Sequence, residues 1–377
     1  MAQIDDKWKA KKVAADAEQN RTPFSDIDAN IVFILNESFY DPETLSGDVY
    51  RISGEDVTPN LHRIQKETNS GTMFSVDYGG GTANIEYEIM TGFTNYWLKT
   101  MPYPNLLPKQ KSVPSIAAFA KENGFETAVV HPFNGGVYKR EVVLPKMGFD
   151  DLVFDTEFSH KETYGESEYI TDGETYSEML DLLAKKDKKQ FVSVITMQNH
   201  APYTAGLYGE TNFKASAGEN GEKLTEDEKN SIETYLMSLH KSDEALGDLI
   251  SKLDKFNEKT IVVFYGDHSP GVFPQVIENE DKSTSDSARQ TPYLIYANFD
   301  LGEKRELPET TPNCVANTLL NMLNAKKPSY FYLLDIVCET DPILTDAYFG
   351  SEAPFITTEL SEYNLLTYDQ VAGKQYI

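Results

Sequence analysis

The chain has 377 residues, of which 40% are hydrophobic and 25% charged, a composition typical of folded soluble domains. Its 34 basic and 60 acidic residues give a formal net charge of -26, which excludes a general affinity for nucleic acid. No run of about 18 apolar residues is present to cross a bilayer, and Cys314 and Cys338 lack the spacing of a metal or redox pair, so free thiols and one disulfide both stay open.

The first predicted elements alternate between helix and strand. Residues 1 to about 24 are charged and alanine-rich, which indicates a lone helix or a linker. The apolar run NIVFILNES, residues 30–38, predicts a strand that is buried on both faces, as in parallel sheets. Thr58 followed by Pro59 predicts the start of a helix, because threonine caps helices and proline fits their first position.

The run GGGTAN, residues 79–84, precedes the next predicted helix. Three glycines in a row favour positive φ and allow the backbone to approach a neighbouring group closely. Thr82 follows them at the first turn, where a hydroxyl commonly caps the helix. The sequence here leaves two interpretations open, a capping threonine and a chemically active one.

The alternation of strands and helices continues through the middle of the chain. Thr225 and Glu228 form a predicted capping box at the start of a long helix. Polar stretches at 205–223 and 277–290 are predicted as mobile loops. The predicted strands are ETAVVHPF, QFVSVITMQNH, TIVVFYGDHSP and TPYLIYANF, and the predicted helices SIAAFAKENG, SEMLDLLAKK, Thr225 to about Phe256 and CVANTLLNMLNA.

This order of elements predicts an α/β protein with a mainly parallel central sheet flanked by helices. We expect three parts. Residues 1–27 form a linker or helix, residues 28–300 a large α/β domain, and residues 301–377 a smaller C-terminal α+β subdomain. In such sheets, the residues that bind ligands lie at the carboxyl ends of the strands.

Residues able to bind metal or phosphate stand at these strand ends. The strands deliver Glu37, His131, His200, and the pair Asp267 and His268. Three of the six histidines of the chain thus close apolar strands. For Glu37 or His131 alone, capping of a following helix or of a loop amide is an equally good interpretation. The adjacent carboxylate and imidazole of Asp267 and His268 favour a metal site more strongly.

Thr82 completes a possible four-ligand site with Glu37, Asp267 and His268. Carboxylate, imidazole and hydroxyl groups suit a divalent cation such as Mn²⁺, Zn²⁺ or Mg²⁺. Metal coordination lowers the pKa of a hydroxyl enough to make it a nucleophile. The start of a helix also favours an incoming anion, so a phosphorus centre is the natural electrophile.

Five features follow one another along the chain: the strand ending in Glu37 and the motifs GGGTANIEYEIMTG, HPFNGGVYKRE, MQNHAPY and YGDHSP. Their residues and their order resemble the motifs of lipoteichoic acid synthase and related phosphoglycerol transferases, which belong to the sulfatase and alkaline phosphatase superfamily. The resemblance covers residues 29 to about 300. It implies that Glu37, Thr82, Asp267 and His268 bind one divalent metal, Mn²⁺ in that family. It also implies that Thr82 takes glycerol phosphate from phosphatidylglycerol, releases diacylglycerol, and passes the group to a glycerol phosphate polymer or a glycolipid.

The resemblance also implies a set of substrate contacts. These fall on His131, Tyr138, Arg140 and His200, and His200 could in addition exchange a proton with the reacting oxygens. Tyr138 departs from the tryptophan that is common in related synthases, so the head group and the acceptor are less defined than the reaction. Without the resemblance, Arg140 would be interpreted as a surface ion pair with Glu141 or another neighbour.

Members of this family carry membrane helices ahead of the catalytic domain, so the resemblance implies an extracellular domain at the outer face of a bacterial membrane. Residues 1–27 would then be the juxtamembrane segment, and the anchoring helices would be absent from this sequence. Three alternatives stay open: a phosphoethanolamine transferase, a phosphodiesterase of the same superfamily, and a noncatalytic cell-surface binding protein. A true sulfatase is disfavoured, because residues 80–86 lack the Cys/Ser-x-Pro-x-Arg context of its nucleophile.

Overall fold

The computed structural model describes residues 2–18, 20–45, 47, 49–185, 187–278, 288–345 and 357–375. Most of the predicted loop 277–290 lies outside these residues. The strands in the described part are β1 Asn30–Asn36, β2 Tyr50–Ser53, β3 Asn69–Phe74, β4 Glu126–Val130, β5 Asp151–Val153, β6 Gln190–Ile195, β7 Lys214–Ala217, β8 Thr260–Gly266 and β9 Gln290–Ala297.

Helices alternate with these strands through most of the chain. Thr225 caps the longest helix, and the predicted capping box with Glu228 is confirmed. The helices are α1 Ala2–Glu18, α2 Pro59–Glu67, α3 Thr82–Thr91, α4 Pro102–Asn105, α5 Ile116–Glu122, α6 Arg140–Lys146, α7 Asp172–Ala184, α8 Glu226–Leu253, α9 Pro274–Glu278, α10 Val315–Met322, α11 Phe331–Thr340 and α12 Thr358–Val371.

Seven strands form one sheet in the order β3-β9-β8-β1-β6-β4-β5. The run from β8 to β5 is parallel throughout, whereas β9 is antiparallel to both β8 and β3. The predicted mainly parallel sheet is therefore confirmed. The prediction of a loop over 205–223 is wrong in part, because β7 lies there and satisfies its backbone groups by antiparallel pairing with β2.

The central strands are buried on both faces, as their continuous apolar runs predicted. In β1, Ile31, Phe33 and Leu35 face one hydrophobic core, while Val32 and Ile34 face the other. The first core lies under α1, α3, α5, α6 and the three C-terminal helices, and the second under α2, α7 and α8. The result is a three-layer α/β architecture, the class in which ligands bind at the carboxyl ends of the strands.

The terminal regions contribute to the first core. Trp8 of α1 is 2% exposed, and its indole donates to Glu362 of α12 over 2.8 Å. The described part of residues 301–375 contains three α-helices. Ahead of them, Glu306 and Thr310 each form an isolated β-bridge with a residue of β3. The division into residues 1–27, 28–300 and 301–377 stays a prediction.

The two cysteines are joined, which resolves the alternative between free thiols and a disulfide. Cys314, just before α10, is bonded to Cys338 of α11. Among the described residues, no helix combines the length and the apolar character needed to cross a membrane.

Candidate active site

The register of two neighbouring strands brings the candidate carboxylates together. β1 and β8 are adjacent and parallel, and Asn36 at the end of one lies opposite Gly266 at the end of the other. Glu37 and Asp267 are the next residues in each chain segment, so both emerge at the same edge of the sheet. A Cβ at Gly266 would lie 1.8 Å from the carbonyl oxygen of Phe39, so only glycine fits this close approach.

The glycine run turns the chain into α3 at this same edge. Gly79, Gly80 and Gly81 have φ values of +65°, +148° and +92°, backbone conformations that residues other than glycine rarely adopt. Gly81 is the capping residue, and Thr82 is the first residue of the helix. The Thr82 hydroxyl does not bond to the helix end; it donates a hydrogen bond to Oε2 of Glu37 over 3.2 Å. The capping interpretation of Thr82 is therefore wrong.

Glu37, Asp267 and His268 form one compact, buried cluster beside Thr82. One ligand atom from each of the three lies within 4.8 Å of the others. Nε2 of His268 lies 3.1 Å from Oδ2 of Asp267, 3.7 Å from Oε1 of Glu37 and 3.5 Å from Oγ1 of Thr82. All four residues are at most 5% exposed. The side chains that were predicted as metal ligands thus meet in space.

Hydrogen bonds hold the cluster in an orientation that suits cation binding. Nδ1 of His268 lies 3.1 Å from the carbonyl oxygen of Ser269, an acceptor, so Nδ1 carries a proton and Nε2 is the ring nitrogen that faces the cluster. The backbone N–H of Ser38 donates to Oδ1 of Asp267 over 2.7 Å. The other oxygen of this buried carboxylate, Oδ2, accepts no hydrogen bond.

The electrostatics of the cluster show a deficit of positive charge. Burial, with the nearby Glu37 carboxylate, raises the pKa of Asp267 to about 7. Burial by itself would lower the pKa of His268, but the carboxylates of Asp267 and Glu37 outweigh this effect and raise it. Two buried carboxylates, one without a partner for its outer oxygen, and an imidazole nitrogen fit a divalent cation.

Arg140 belongs to a second buried group next to the cluster. Its Nε lies 3.1 Å and 3.2 Å from the two carboxylate oxygens of Glu86, and its NH2 group also contacts Glu86. Arg140 is 2% exposed. The interpretation of Arg140 as a surface ion pair with Glu141 is wrong, because the arginine is buried and its partner is Glu86.

His131 holds the other side of the Arg140 guanidinium. Nδ1 of His131 donates to the carbonyl oxygen of Ile195 over 3.0 Å, and Nε2 lies 3.2 Å from NH1 of Arg140. Burial and then the adjacent Arg140 charge lower the pKa of His131 well below its usual range, so the ring is neutral and Nε2 accepts from the arginine. Glu86 and His131 engage three of the five guanidinium N–H groups, which leaves two for a ligand.

Glu86 is a candidate site residue that the sequence reasoning missed. It lies four residues after Thr82 on α3, and residues at this spacing share one face of a helix. The motif GGGTANIEYE therefore contained the signal, since a helix that points Thr82 at the site also points Glu86 there.

Tyr138 lies at the mouth of the site in an unusual backbone conformation. Tyr138 and Lys139 both have positive φ, +55° and +59°, a conformation that costs a non-glycine residue of order 1–3 kcal/mol. This turn directs the half-buried Tyr138 ring over Arg140, whose Cζ lies 5.0 Å from the ring centroid. An aromatic ring therefore lies against the Arg140 guanidinium.

His200 stands on the open side of the site. It follows β6 and is exposed, and its Nδ1 lies 2.7 Å from the carbonyl oxygen of Ala201 and 3.1 Å from the hydroxyl of Tyr169. Within the described residues, no hydrogen bond joins it to Thr82. Tyr169 was missed, because it lies in an irregular stretch between β5 and α7 and only the fold brings it beside His200.

Comparisons with known proteins identify the family and several similar proteins. The Sulfatase family model matches residues 29–325. A phosphoglycerol transferase of Streptococcus pyogenes, GacH, solved with sn-glycerol-1-phosphate, is similar over 100% of this chain and 94% of its own, with 28% identity and a TM-score of 0.82.

Two curated relatives are longer proteins. A protein of Rhizobium meliloti, provisionally named a cyclic β-1,2-glucan modification protein, is 25% identical over 92% of this chain and 55% of its own length. Lipoteichoic acid synthase 2 of Bacillus subtilis is 23% identical over 74% of this chain and 43% of its own. The chain spans about half the length of the curated relatives it matches.

Proposed function

The chain belongs to the sulfatase family, and we propose that within it the protein is a metal-dependent phosphoglycerol transferase. It would move glycerol phosphate from phosphatidylglycerol to an acceptor hydroxyl through a phosphothreonine at Thr82. The observation that carries the proposal is the Thr82 hydroxyl, 3.2 Å from Glu37 beside Asp267 and His268. Full-length similarity to a phosphoglycerol transferase supports the nature of the transferred group.

One divalent cation would be held by Glu37, Thr82, Asp267 and His268, with Mn²⁺ first among the candidates and Mg²⁺ or Zn²⁺ as others. When bound, it would neutralise the carboxylates and lower the pKa of the threonine hydroxyl. The tautomer of His268, fixed by Ser269, supports this assignment.

The protein groups would carry the transfer in two displacements. In the first, the Thr82 hydroxyl gives its proton to Glu37 and its oxygen bonds to phosphorus, while the bond from phosphorus to the diacylglycerol oxygen breaks and His200 gives that oxygen a proton. In the second, His200 takes the proton of the acceptor hydroxyl, whose oxygen bonds to phosphorus while the bond to Thr82 breaks and Thr82 regains its proton from Glu37. The two N–H groups of Arg140 that Glu86 and His131 leave open would bind the phosphoryl oxygens, and the N-terminus of α3 favours their negative charge.

Two kinds of acceptor are supported by different relatives. Lipoteichoic acid synthase 2 supports a glycerol phosphate polymer or a glycolipid. The glucan modification protein, which matches more of this chain, supports a hydroxyl of a polysaccharide. We propose phosphatidylglycerol as the donor with either acceptor. Competition between a soluble glucan and a glycerol phosphate oligomer for the phosphorylated enzyme would separate the two acceptors.

We place the protein at the outer face of a bacterial cell membrane. The bond between Cys314 and Cys338 supports an oxidising compartment, because disulfides are rare in the cytosol. A membrane-lipid donor supports a location at the bilayer surface.

The test compares wild-type protein, Thr82→Ala and Thr82→Ser with phosphatidylglycerol as donor. We expect diacylglycerol release and a phosphoglycerol adduct on Thr82 in the wild type, neither in Thr82→Ala, and partial activity in Thr82→Ser, which keeps a hydroxyl. Circular dichroism confirms that the variants fold. Undiminished diacylglycerol release by folded Thr82→Ala would show that Thr82 is not the nucleophile. In a parallel assay, diacylglycerol release from phosphatidylethanolamine but not from phosphatidylglycerol would favour a phosphoethanolamine transferase.

A further inference from the structure

The chain contains a basic segment that contrasts with its overall charge. Residues 93–121 hold four lysines and no aspartate or glutamate, although acidic residues make up 60 of the 377 positions. At that average, 29 residues would contain between four and five carboxylates. Lys99, Lys109 and Lys111 of this segment are exposed.

The segment is joined to the turn that carries Arg140. Lys139, also exposed, donates to the carbonyl oxygen of Pro104 over 3.1 Å, and Lys146 donates to that of Gln110 over 2.6 Å. We call Lys99, Lys109, Lys111 and Lys139 the basic rim. These lysines come from two parts of the chain, which the hydrogen bonds of Lys139 and Lys146 join.

Two residues of the basic rim, Lys99 and Lys139, lie close to residues of the proposed active site. Lys139 precedes Arg140, and Lys99 lines a cavity of about 380 Å³ together with Asn84, two residues beyond Thr82. Val137 and Val142, on either side of Arg140 in the sequence, are 39% and 41% exposed. Exposed Lys139 and two exposed aliphatic side chains therefore lie within three residues of Arg140 in the sequence, and Lys99 lies beside Asn84.

We infer that the basic rim docks on the surface of an anionic phospholipid bilayer and turns the site mouth toward it. Lysines near an anionic leaflet are attracted to it, and this attraction acts only within about a Debye length, roughly 8 Å in physiological salt. The rest of a chain of formal net charge -26 is repelled. Of the orientations the chain can take, the one with the basic rim facing the lipid is favoured.

A bilayer fits this surface better than an anionic polymer does. A glycerol phosphate polymer would engage the lysines but would leave Val137 and Val142 in water. At a bilayer, small aliphatic side chains can enter the boundary between head groups and acyl chains while the lysines remain among the phosphates. The inference deepens the proposed function, since phosphatidylglycerol in that bilayer would be the donor.

The test uses two double variants with the same change of charge. Lys109→Glu with Lys111→Glu alters the basic rim outside the catalytic groups. Lys252→Glu with Lys255→Glu is the control. These exposed lysines lie at the end of α8, near the start of β8, and so at the sheet edge opposite Asp267. Binding is measured by co-sedimentation with vesicles of phosphatidylcholine, alone or mixed with phosphatidylserine, which supplies charge without the donor head group.

We expect wild type and control to bind the phosphatidylserine vesicles alike, and the basic-rim variant at least about tenfold more weakly. Turnover of a water-soluble phosphodiester should be the same in all three proteins. Equal binding by the basic-rim variant, equal loss in both variants, or wild-type binding to glycerol phosphate polymer without binding to vesicles would each overturn the inference. If wild type binds vesicles but turns over no substrate, the proposed function fails and the docking surface stands.

Discussion

Glu88 should make the stability of the protein depend on pH in a direction that is unusual for a carboxylate. It lies on α3, fully buried, and its Oε1 accepts from the backbone N–H of Asn95 and the hydroxyl of Thr94. Its Oε2 accepts no hydrogen bond. Burial raises the pKa of Glu88 to about 8.

The sign and size of the effect follow from proton linkage. Between an unfolded-state pKa near 4.5 and the folded-state value of about 8, the folded protein keeps a proton that the unfolded chain releases. The free energy of unfolding therefore falls as pH rises, by about 1.4 kcal/mol per pH unit, or about 3 kcal/mol from pH 5 to pH 7. Above pH 8 this loss levels off, because both states are then ionised.

Glu88→Gln keeps the shape and the Oε1 acceptor but cannot titrate. In urea unfolding at pH 5, 6, 7 and 8, the free energy of unfolding of Glu88→Gln relative to wild type should rise by about 1.4 kcal/mol per pH unit. Other titrating groups cancel in this difference. The exposed Glu210→Gln is the matched control and should give a flat difference. A difference for Glu88→Gln that is also constant over this range would refute the reasoning.

Three further predictions concern the site and the covalent link. Glu86→Gln removes the charge that holds buried Arg140, so kcat/KM for transfer should fall at least about tenfold. Glu141→Gln, at an exposed position next to Arg140, should keep the wild-type kcat/KM. Equal losses in the two variants would contradict the role of Glu86. Chelation of divalent cations should abolish transfer and lower the melting temperature, and added Mn²⁺ should restore both. Full turnover by protein that elemental analysis shows to be free of metal would argue against a metal site. Replacing Cys314 and Cys338 with serine opens a link across a separation of 24 residues and should cost about 3 kcal/mol of stability, whereas an unchanged urea midpoint would show that the link does not stabilise the fold.

The central sheet could be predicted because its strands carry their own signal. A strand buried on both faces is mainly apolar, as in β1, β6 and β8, and polar residues follow within a few positions of its end. The short strands β2 and β7 carry no such pattern, because both lie on the surface and alternate in exposure. Pairing between residues more than 150 positions apart stabilises them, and no local pattern reveals that.

The cluster around Thr82 could be predicted for a related reason. In a parallel sheet, residues that follow adjacent strands must meet, so Glu37 and Asp267 are neighbours once β1 and β8 are paired. The partnership of Arg140 with Glu86 needed one further step, the helical spacing that places Glu86 on the face of Thr82. The contact of His200 with Tyr169 depends on the course of an irregular loop, for which sequence offers no rule.

The family resemblance and the structure imply different roles for the His131 side chain. As a direct phosphate contact, it would need a free N–H directed at the ligand. Here Nδ1 donates to Ile195, and Nε2 lies on Arg140. Burial and the arginine both oppose a second proton on the ring. In this arrangement His131 would act through Arg140, because its Nε2 holds one N–H group of the guanidinium and so fixes the plane of that group. Direct contact with phosphate requires the Arg140 bond to break first, so the two roles exclude each other in any one state of the site.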